Sequence, residues 1–171
     1  MTRPTNIWAV SDGRAGIERQ ALALADAIAN EIPNANIRTI RLNPQAPQVW
    51  LPPQFWPAPI AALPLNQAKI FDEEMPDIWV GNGRRAIAYS MLVKKHFPKT
   101  FVVQIQDPKI PPENFDMVVS PLHDTIKGEN VRYTLGGLVY YSNAKIIDAR
   151  LRYPELQNAK SPKTIVILGG N

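Results

Sequence analysis

Four short stretches carry side chains whose types and spacing could do chemistry. "SDGRAGIERQ" (11–20) stands between an apolar run and an amphipathic one, so Asp12, Gly13, Arg14 and Gly16 fall where a strand hands over to a helix. Glycines there let backbone N–H groups approach a ligand closely. The helix N-terminus and Arg14 add positive charge for a phosphate or a sugar hydroxyl. A capping Asp12 with glycines in a tight turn explains the same residues without a ligand. "VGNGRRAIAY" (80–89) holds Gly81-x-Gly83-x-x-Ala86, the spacing of a dinucleotide fingerprint. Arg84 and Arg85 crowd the place where a pyrophosphate would approach, and two cations oppose the helix dipole unless an anion compensates them. Three readings stay open there: an NAD site, a site for another anion held by Gly83 and Arg84, or a tight turn with solvated arginines.

"QIQDPKIPP" (104–112) puts Gln104 and Gln106 on one face of a strand and Val103 and Ile105 on the other. Both glutamines look ligand-facing, with amides that could bridge sugar hydroxyls, and Asp107 would serve as a general base or, before Pro108, simply start a turn. "SPLHD" (120–124) offers His123 as a second base, with Asp124 beside it or another carboxylate to orient it. His96 falls in the last turn of a helix, where a structural role suffices. Asp107 and His123 are therefore the candidate catalytic residues. "TLGGL" (134–138) adds a Gly pair at a further strand end.

The elements that must position these residues alternate. Strand-like runs are expected at 6–11, 35–42, 76–81, 100–106, 115–120 and 130–135, and helices at 15–32, 84–97 and 142–153, the last capped by Ser142 or Asn143. Such alternation predicts an α/β fold, a Rossmann-like three-layer sandwich with a mainly parallel sheet. Residues 43–65 interrupt it. They are too rich in proline for a regular helix or strand, yet they carry Trp50, Leu51, Phe55, Trp56 and Ile60, which must pack down or meet a partner. The polar stretch before "KTIVILGGN" (163–171) reads as a linker, and the final run as a strand opening something further. The expected organisation is a Rossmann-like domain over 1–155, a linker over 156–163 and the first strand of a second domain over 164–171.

Composition narrows the classes. In 171 residues, 45% hydrophobic and 20% charged, there is room for one well-buried domain. Nineteen Lys+Arg against fifteen Asp+Glu give a net charge of +4 without a basic cluster, so no nucleic-acid partner is expected. With no Cys and two His, neither a disulfide nor a zinc site is expected. There is no Walker loop and no Gly-x-Ser-x-Gly elbow. No apolar run is long enough to span a bilayer, so the expected location is cytoplasmic, or peripheral at the inner membrane surface.

Taken in order, "SDGRAGIERQALALADAI", "PDIWVGNGRRAI", "VVQIQDP", "FDMVVSPLHD" and "IVILGGN" resemble bacterial proteins similar to the plant mitochondrial-fission elongated-mitochondria protein. Members of that group have also carried the label nucleoside-diphosphate-sugar epimerase. That label fits poorly, because a short-chain epimerase wants its Gly-rich motif after the first strand, where this chain has "SDGRAG". The group is in turn similar to glycosyltransferases of the GT-B fold, in which two Rossmann-like domains face a cleft. The resemblance implies that this chain is the acceptor-side half. A nucleotide-sugar donor would then be held by a further domain, no cofactor would be needed, and the chain alone would show no turnover. It also implies a use for Trp50, Phe55 and Trp56, as contacts to a lipid acceptor or membrane. The rival readings are a non-catalytic binding or membrane-adaptor module, and an NAD-binding domain.

Overall fold

The computed structural model describes residues 3–139, 143–162, 164 and 166. They fall into two compact units, Met1–Tyr140 and Tyr141–Asn171. The first unit holds a six-stranded sheet made of β1 (Thr5–Ser11), β2 (Ala35–Arg41), β3 (Ile78–Asn82), β4 (Phe101–Ile105), β5 (Met117–Pro121) and β6 (Val131–Thr134). Every pairing is parallel, and the spatial order is β2-β1-β3-β4-β5-β6. The chain therefore reverses direction across the sheet at β1, with β2 on one side and β3 on the other. This is the switch point at which open α/β sheets form a crevice.

Both faces of the central strands are covered, which explains their nearly unbroken apolar runs. Successive side chains point to opposite faces, so each strand feeds two cores. Ile7, Ala9, Val80 and Ile105 meet α1 (Ala15–Glu31) through Ala21 and Ala25. The small alanines let this helix lie close to the sheet. It ends where Pro33 and Asn34, the latter at φ 59°, can no longer continue it. On the other face Trp8, Val10, Trp79, Val102 and Val118 pack against α3 (Arg84–His96) and the proline-rich segment.

That segment is built as prolines allow. Single 3-10 turns at Gln48–Trp50, Pro53–Phe55 and Ile60–Ala62 lead into α2 (Leu65–Ala68) and a further turn at Lys69–Asp72. Its apolar side chains divide between two fates. Trp56, Leu63, Ile70 and Phe71 are buried, whereas Trp50 and Phe55 are 76% and 67% exposed. The expectation that Trp56 contacts a membrane or acceptor is corrected here. Its ring is 6% exposed, stands edge-on to Tyr89 at 6.0 Å, and donates its N–H to the Leu51 carbonyl at 3.1 Å. An indole with its polar atom satisfied belongs in a core.

The second unit contains α4 (Asn143–Arg152) and α5 (Pro154–Asn158). Ser142 as a cap, and the strand expected over 164–171, lie outside the described residues apart from Thr164 and Val166. Among the described residues, no helix is long and apolar enough to cross a membrane.

Candidate functional site

Because all six strands run the same way, the loops that follow β1, β3, β4, β5 and β6 gather along one edge of the sheet. All four predicted stretches lie in those loops. The structure then separates them into two groups.

After β3 and β4 the chain lines a cavity of about 410 Å³ with Gly83, Arg84, Gln106, Asp107 and Lys109, closed on one side by Pro53 and Gln54. Four of these are predicted site residues. Gln106 adopts φ 67° and Lys109 φ 58°, a left-handed conformation uncommon for residues other than glycine. Asp107 winds the turn between them. One carboxylate oxygen accepts the Lys109 backbone N–H at 2.8 Å and the other the Lys109 ammonium at 2.6 Å. That ion pair raises the Lys109 pKa, the side-chain hydrogen bond being the main cause. Two of the roughly four lone-pair positions of Asp107 remain for a ligand.

The loop after β5 supports this turn from behind. One Asp124 oxygen accepts the Ser120 hydroxyl at 2.6 Å and the Asp107 backbone N–H at 3.3 Å. The Ser120 bond is the chief reason the Asp124 carboxyl sits below its usual range, with burial opposing it. His123 is 76% exposed, and its Nε2 stands 3.9 Å from the other Asp124 oxygen, beyond a hydrogen bond. It does not line the 410 Å³ cavity. The two candidate bases are thus linked through Asp124, but only Asp107 faces the cavity.

Arg84 does more than the sequence suggests. Its two terminal nitrogens donate to the Val49 and Leu51 carbonyls, both at 2.9 Å, so it ties the proline-rich segment to the start of α3. Neither contact neutralises its charge. With Lys109 balanced by Asp107, the cavity keeps one positive charge, which suits an anionic or polyhydroxylated ligand.

Asp12, Gly13, Arg14 and Gly16 form a separate group that does not line this cavity. Gly13 takes φ 80° and its N–H donates to Ser11 Oγ at 3.1 Å. The Asp12 carboxylate accepts Arg14 Nε at 2.8 Å and the Arg14 backbone N–H at 3.3 Å. Burial works to raise the Asp12 pKa, yet the two bonds to Arg14 outweigh it and the net shift is downward. The helix cap is Arg14 itself, with no side-chain cap bond. A Cβ on Gly16 would meet nothing within 4 Å, so no packing demand explains glycine there.

Packing restricts both glycines at the carboxyl end of β3, Gly81 inside the strand and Gly83 just past it. A Cβ on Gly81 would fall 2.4 Å from Ser90 Oγ, and one on Gly83 2.8 Å from Ile17 Cγ2. Sequence reasoning missed the polar groups that make the Gly81 position tight. Trp79 donates to Ser90 Oγ and the Ser90 hydroxyl to Gln104 Oε1, both at 2.9 Å and all buried. Gln104, read as facing a ligand, does line the 410 Å³ cavity, but its amide is engaged in buried bonds, accepting from Ser90 and donating to the Ile105 carbonyl at 3.2 Å. Asn82 donates to the Ile17 carbonyl at 2.8 Å and accepts the Gly83 N–H at 2.9 Å, which locks β3 to α1. An Asn between two glycines at a strand end was the available signal. Among the described residues there is no cluster of His, Asp and Glu able to hold a metal ion. A Tyr-x-x-x-Lys spacing, the other mark of a short-chain epimerase, does occur at Tyr141 and Lys145, outside the described side chains.

Comparison with known proteins adds the family. A protein of Rickettsia prowazekii (strain Madrid E), named uncharacterized protein RP120, is 29% identical over 147 residues, covering 86% of this chain. The chain spans 37% of that relative's length. No solved structure matches it. The pattern of the mitochondrial fission ELM1 family matches residues 15–171. That match takes in every predicted site residue except Asp12, Gly13 and Arg14, and the chain belongs to the mitochondrial fission ELM1 family.

Proposed function

We propose that this chain is the acceptor-side half of a GT-B-like glycosyltransferase, working with a further domain that binds a nucleotide-sugar. The observation that carries the reading is the 410 Å³ cavity at the carboxyl edge of the sheet, where Gly83, Arg84, Gln106 and Asp107 meet. It combines a carboxylate, an amide and one unbalanced guanidinium, which is the equipment for holding a hydroxyl-bearing acceptor. The resemblance to sugar-transferring enzymes supports the reaction class, and the greater length of the Rickettsia relative leaves room for a donor domain.

In this mechanism Asp107 takes the proton from an acceptor hydroxyl. The freed oxygen attacks the anomeric carbon, and the bond from that carbon to the phosphate oxygen breaks, releasing the nucleoside diphosphate. Asp124 fixes the backbone of Asp107, so it is a positioning residue, and His123 on the same loop is the second candidate base. Arg84 and Gly83 hold the anionic part of the acceptor.

The test is nucleotide release from a panel of nucleotide-sugars by the protein extended to the length of its relative, with the 171-residue chain beside it. Turnover is expected only in the longer protein. Asp107→Asn should lower kcat by about 10²-fold or more, the usual contribution of a placed base. Full turnover after replacing Asp107 and His123 together would remove both from the mechanism. No nucleotide-sugar consumed by the longer protein would overturn the reading.

A further inference from the structure

The charges that line the 410 Å³ cavity leave a single positive excess. Arg84 and Lys109 are its cations, Asp107 is its anion, and the other lining residues are neutral. Charged groups just outside the lining cancel. Arg14 holds Asp12 at 2.6 Å. Behind the turn, the charge of Asp124 is offset by that of Arg85, whose guanidinium donates to the Asn43 amide oxygen at 2.9 Å. A ligand with one negative charge therefore leaves the site neutral. A phosphate monoester, at about −1.5 to −2, would put uncompensated negative charge beside the Asp107 carboxylate. A neutral ligand would leave the Arg84 charge unanswered.

The groups that would meet such a ligand are held in place before it arrives. Two of the five N–H groups of the Arg84 guanidinium are spent on the Val49 and Leu51 carbonyls, and three remain. A fork fixed in advance lowers the entropy cost of binding. The Asp107 side chain is 7% exposed, so its unspent lone pairs belong to a buried carboxylate. Beside it Gln106 is kept at φ 67°, and strained backbone of this kind persists where its surroundings impose it, often at ligand sites. Among the described residues no group takes the side-chain amides of Gln54 or Gln106, so both are open to hydroxyls. Pro52, Pro53 and Ile87 supply apolar wall for the C–H face of a ring. At 410 Å³ the cavity stands at the small end of ligand sites, the size for one sugar ring rather than a chain.

We infer that the acceptor is a single-ring sugar bearing one carboxylate. The carboxylate lies on the free N–H groups of Arg84, the reacting hydroxyl on Asp107, and other hydroxyls on the Gln54 and Gln106 amides. A carboxylate supplies one charge in three atoms and in the plane of the guanidinium. A phosphodiester supplies it only with a second organic group on the phosphorus. The inference rests on the sugar-transfer reading for the hydroxyl at Asp107, and goes beyond it in naming the acceptor.

Amide chemical-shift titration of the 171-residue chain at neutral pH, without any nucleotide-sugar, tests it. The probes are glucuronate, galacturonate and mannuronate, set against glucose, glucose 6-phosphate and its methyl diester. At least one sugar acid should bind about tenfold more tightly than glucose and more tightly than either phosphate. Asp107→Asn gives the lining a second positive excess, and should move the preference about tenfold toward glucose 6-phosphate. Gln106→Gly accepts φ 67° without strain and removes only the amide, so it should weaken every sugar roughly fivefold while the spectrum stays that of a folded chain. No shift with any acid, tighter binding of glucose or of either phosphate by the parent chain, or a preference unmoved by Asp107→Asn overturns the inference. Its failure is separable from that of the transfer reading. If the longer protein consumes a nucleotide-sugar but glycosylates glucose in preference to all three acids, the carboxylate is wrong and transfer stands. If an acid binds as expected and the longer protein consumes no nucleotide-sugar, the carboxylated-sugar site stands and transfer falls.

Discussion

Gly83→Ala isolates two costs that the structure separates. The first is conformational. Gly83 sits at φ 85°, ψ 158°, a region open essentially to glycine alone, and forcing another residue into it costs about 1–3 kcal/mol. The second is steric. The new methyl would lie 2.8 Å from Ile17 Cγ2, closer than real contacts allow, and overpacking of this kind costs about 1–3 kcal/mol. Together they predict a loss of roughly 2–6 kcal/mol, a large share of the roughly 5–15 kcal/mol that holds a domain folded. In an Ile17→Ala background the steric part disappears and the backbone part stays. The double-mutant cycle should therefore show a favourable coupling of about 1–3 kcal/mol between the two positions. Urea denaturation followed by circular dichroism on all four chains measures it. A Gly83→Ala loss below about 1 kcal/mol, or a coupling near zero, would refute the argument that α1 packing makes this position glycine. The dinucleotide reading of the Gly-x-Gly pair would then regain its force.

Other perturbations reach the remaining parts of the frame. Gln104→Leu leaves the Ser90 hydroxyl without its acceptor inside the core, and should cost about 1–3 kcal/mol in the same denaturation experiment. Arg84→Met removes both bonds to the Val49 and Leu51 carbonyls, and cleavage by chymotrypsin at Trp50 and Phe55 should accelerate while the rest of the chain resists. Acid should destabilise through Glu18 and Asp124, whose folded pKa values are depressed, chiefly by the bond from Arg41 and from Ser120 respectively. Their contribution is present above the ordinary carboxylate value near 4 and is lost as pH falls through the folded values, so Asp124→Asn should flatten part of the acid limb of a pH–stability curve. At the alkaline end, burial pushes the Tyr89 phenol up, so its contribution holds below about pH 10 and is lost above it; Tyr89→Phe should shallow that limb.

The layout of the first unit was legible because period-two and helical patterns were strong. β1, α1, β2, α3 and β4 fall within one or two residues of their expected bounds, since each ends at a breaker the sequence displays: Pro33–Asn34 after α1, Pro98 after α3, Asp107–Pro108 after β4. The meeting of Gly83, Arg84, Gln106 and Asp107 was legible too, because parallel strands necessarily bring those loops to one edge. Pairings between distant residues were not. Nothing local in "QIQ" distinguishes a glutamine that points to a ligand from one that ends a buried chain of hydrogen bonds at Trp79, because the distinction lies in Ser90 on another element. Trp56 was misread for the same reason. It stands between Phe55 and Pro57 in a proline-rich stretch with no regular period, and the ring that packs on it, Tyr89, belongs to another element.

Arg84 shows why a loss of activity there would need careful attribution. Its guanidinium stands in the lining of the cavity, so removing it would strip the site of its unbalanced charge. The same guanidinium holds Val49 and Leu51, and thereby the segment whose Pro53 and Gln54 wall the cavity. One side chain thus links the polar cavity, the braced aromatic segment and the first turn of α3. Arg84→Lys keeps the charge but cannot donate in a planar fork to two carbonyls at once. If it restores ligand binding while the segment stays open to protease, Arg84 acts by charge on the ligand. If both fail together as in Arg84→Met, it acts by holding the wall, and the anion-binding role belongs to another group in the cavity, with Lys109, released from Asp107, as the other cation in its lining.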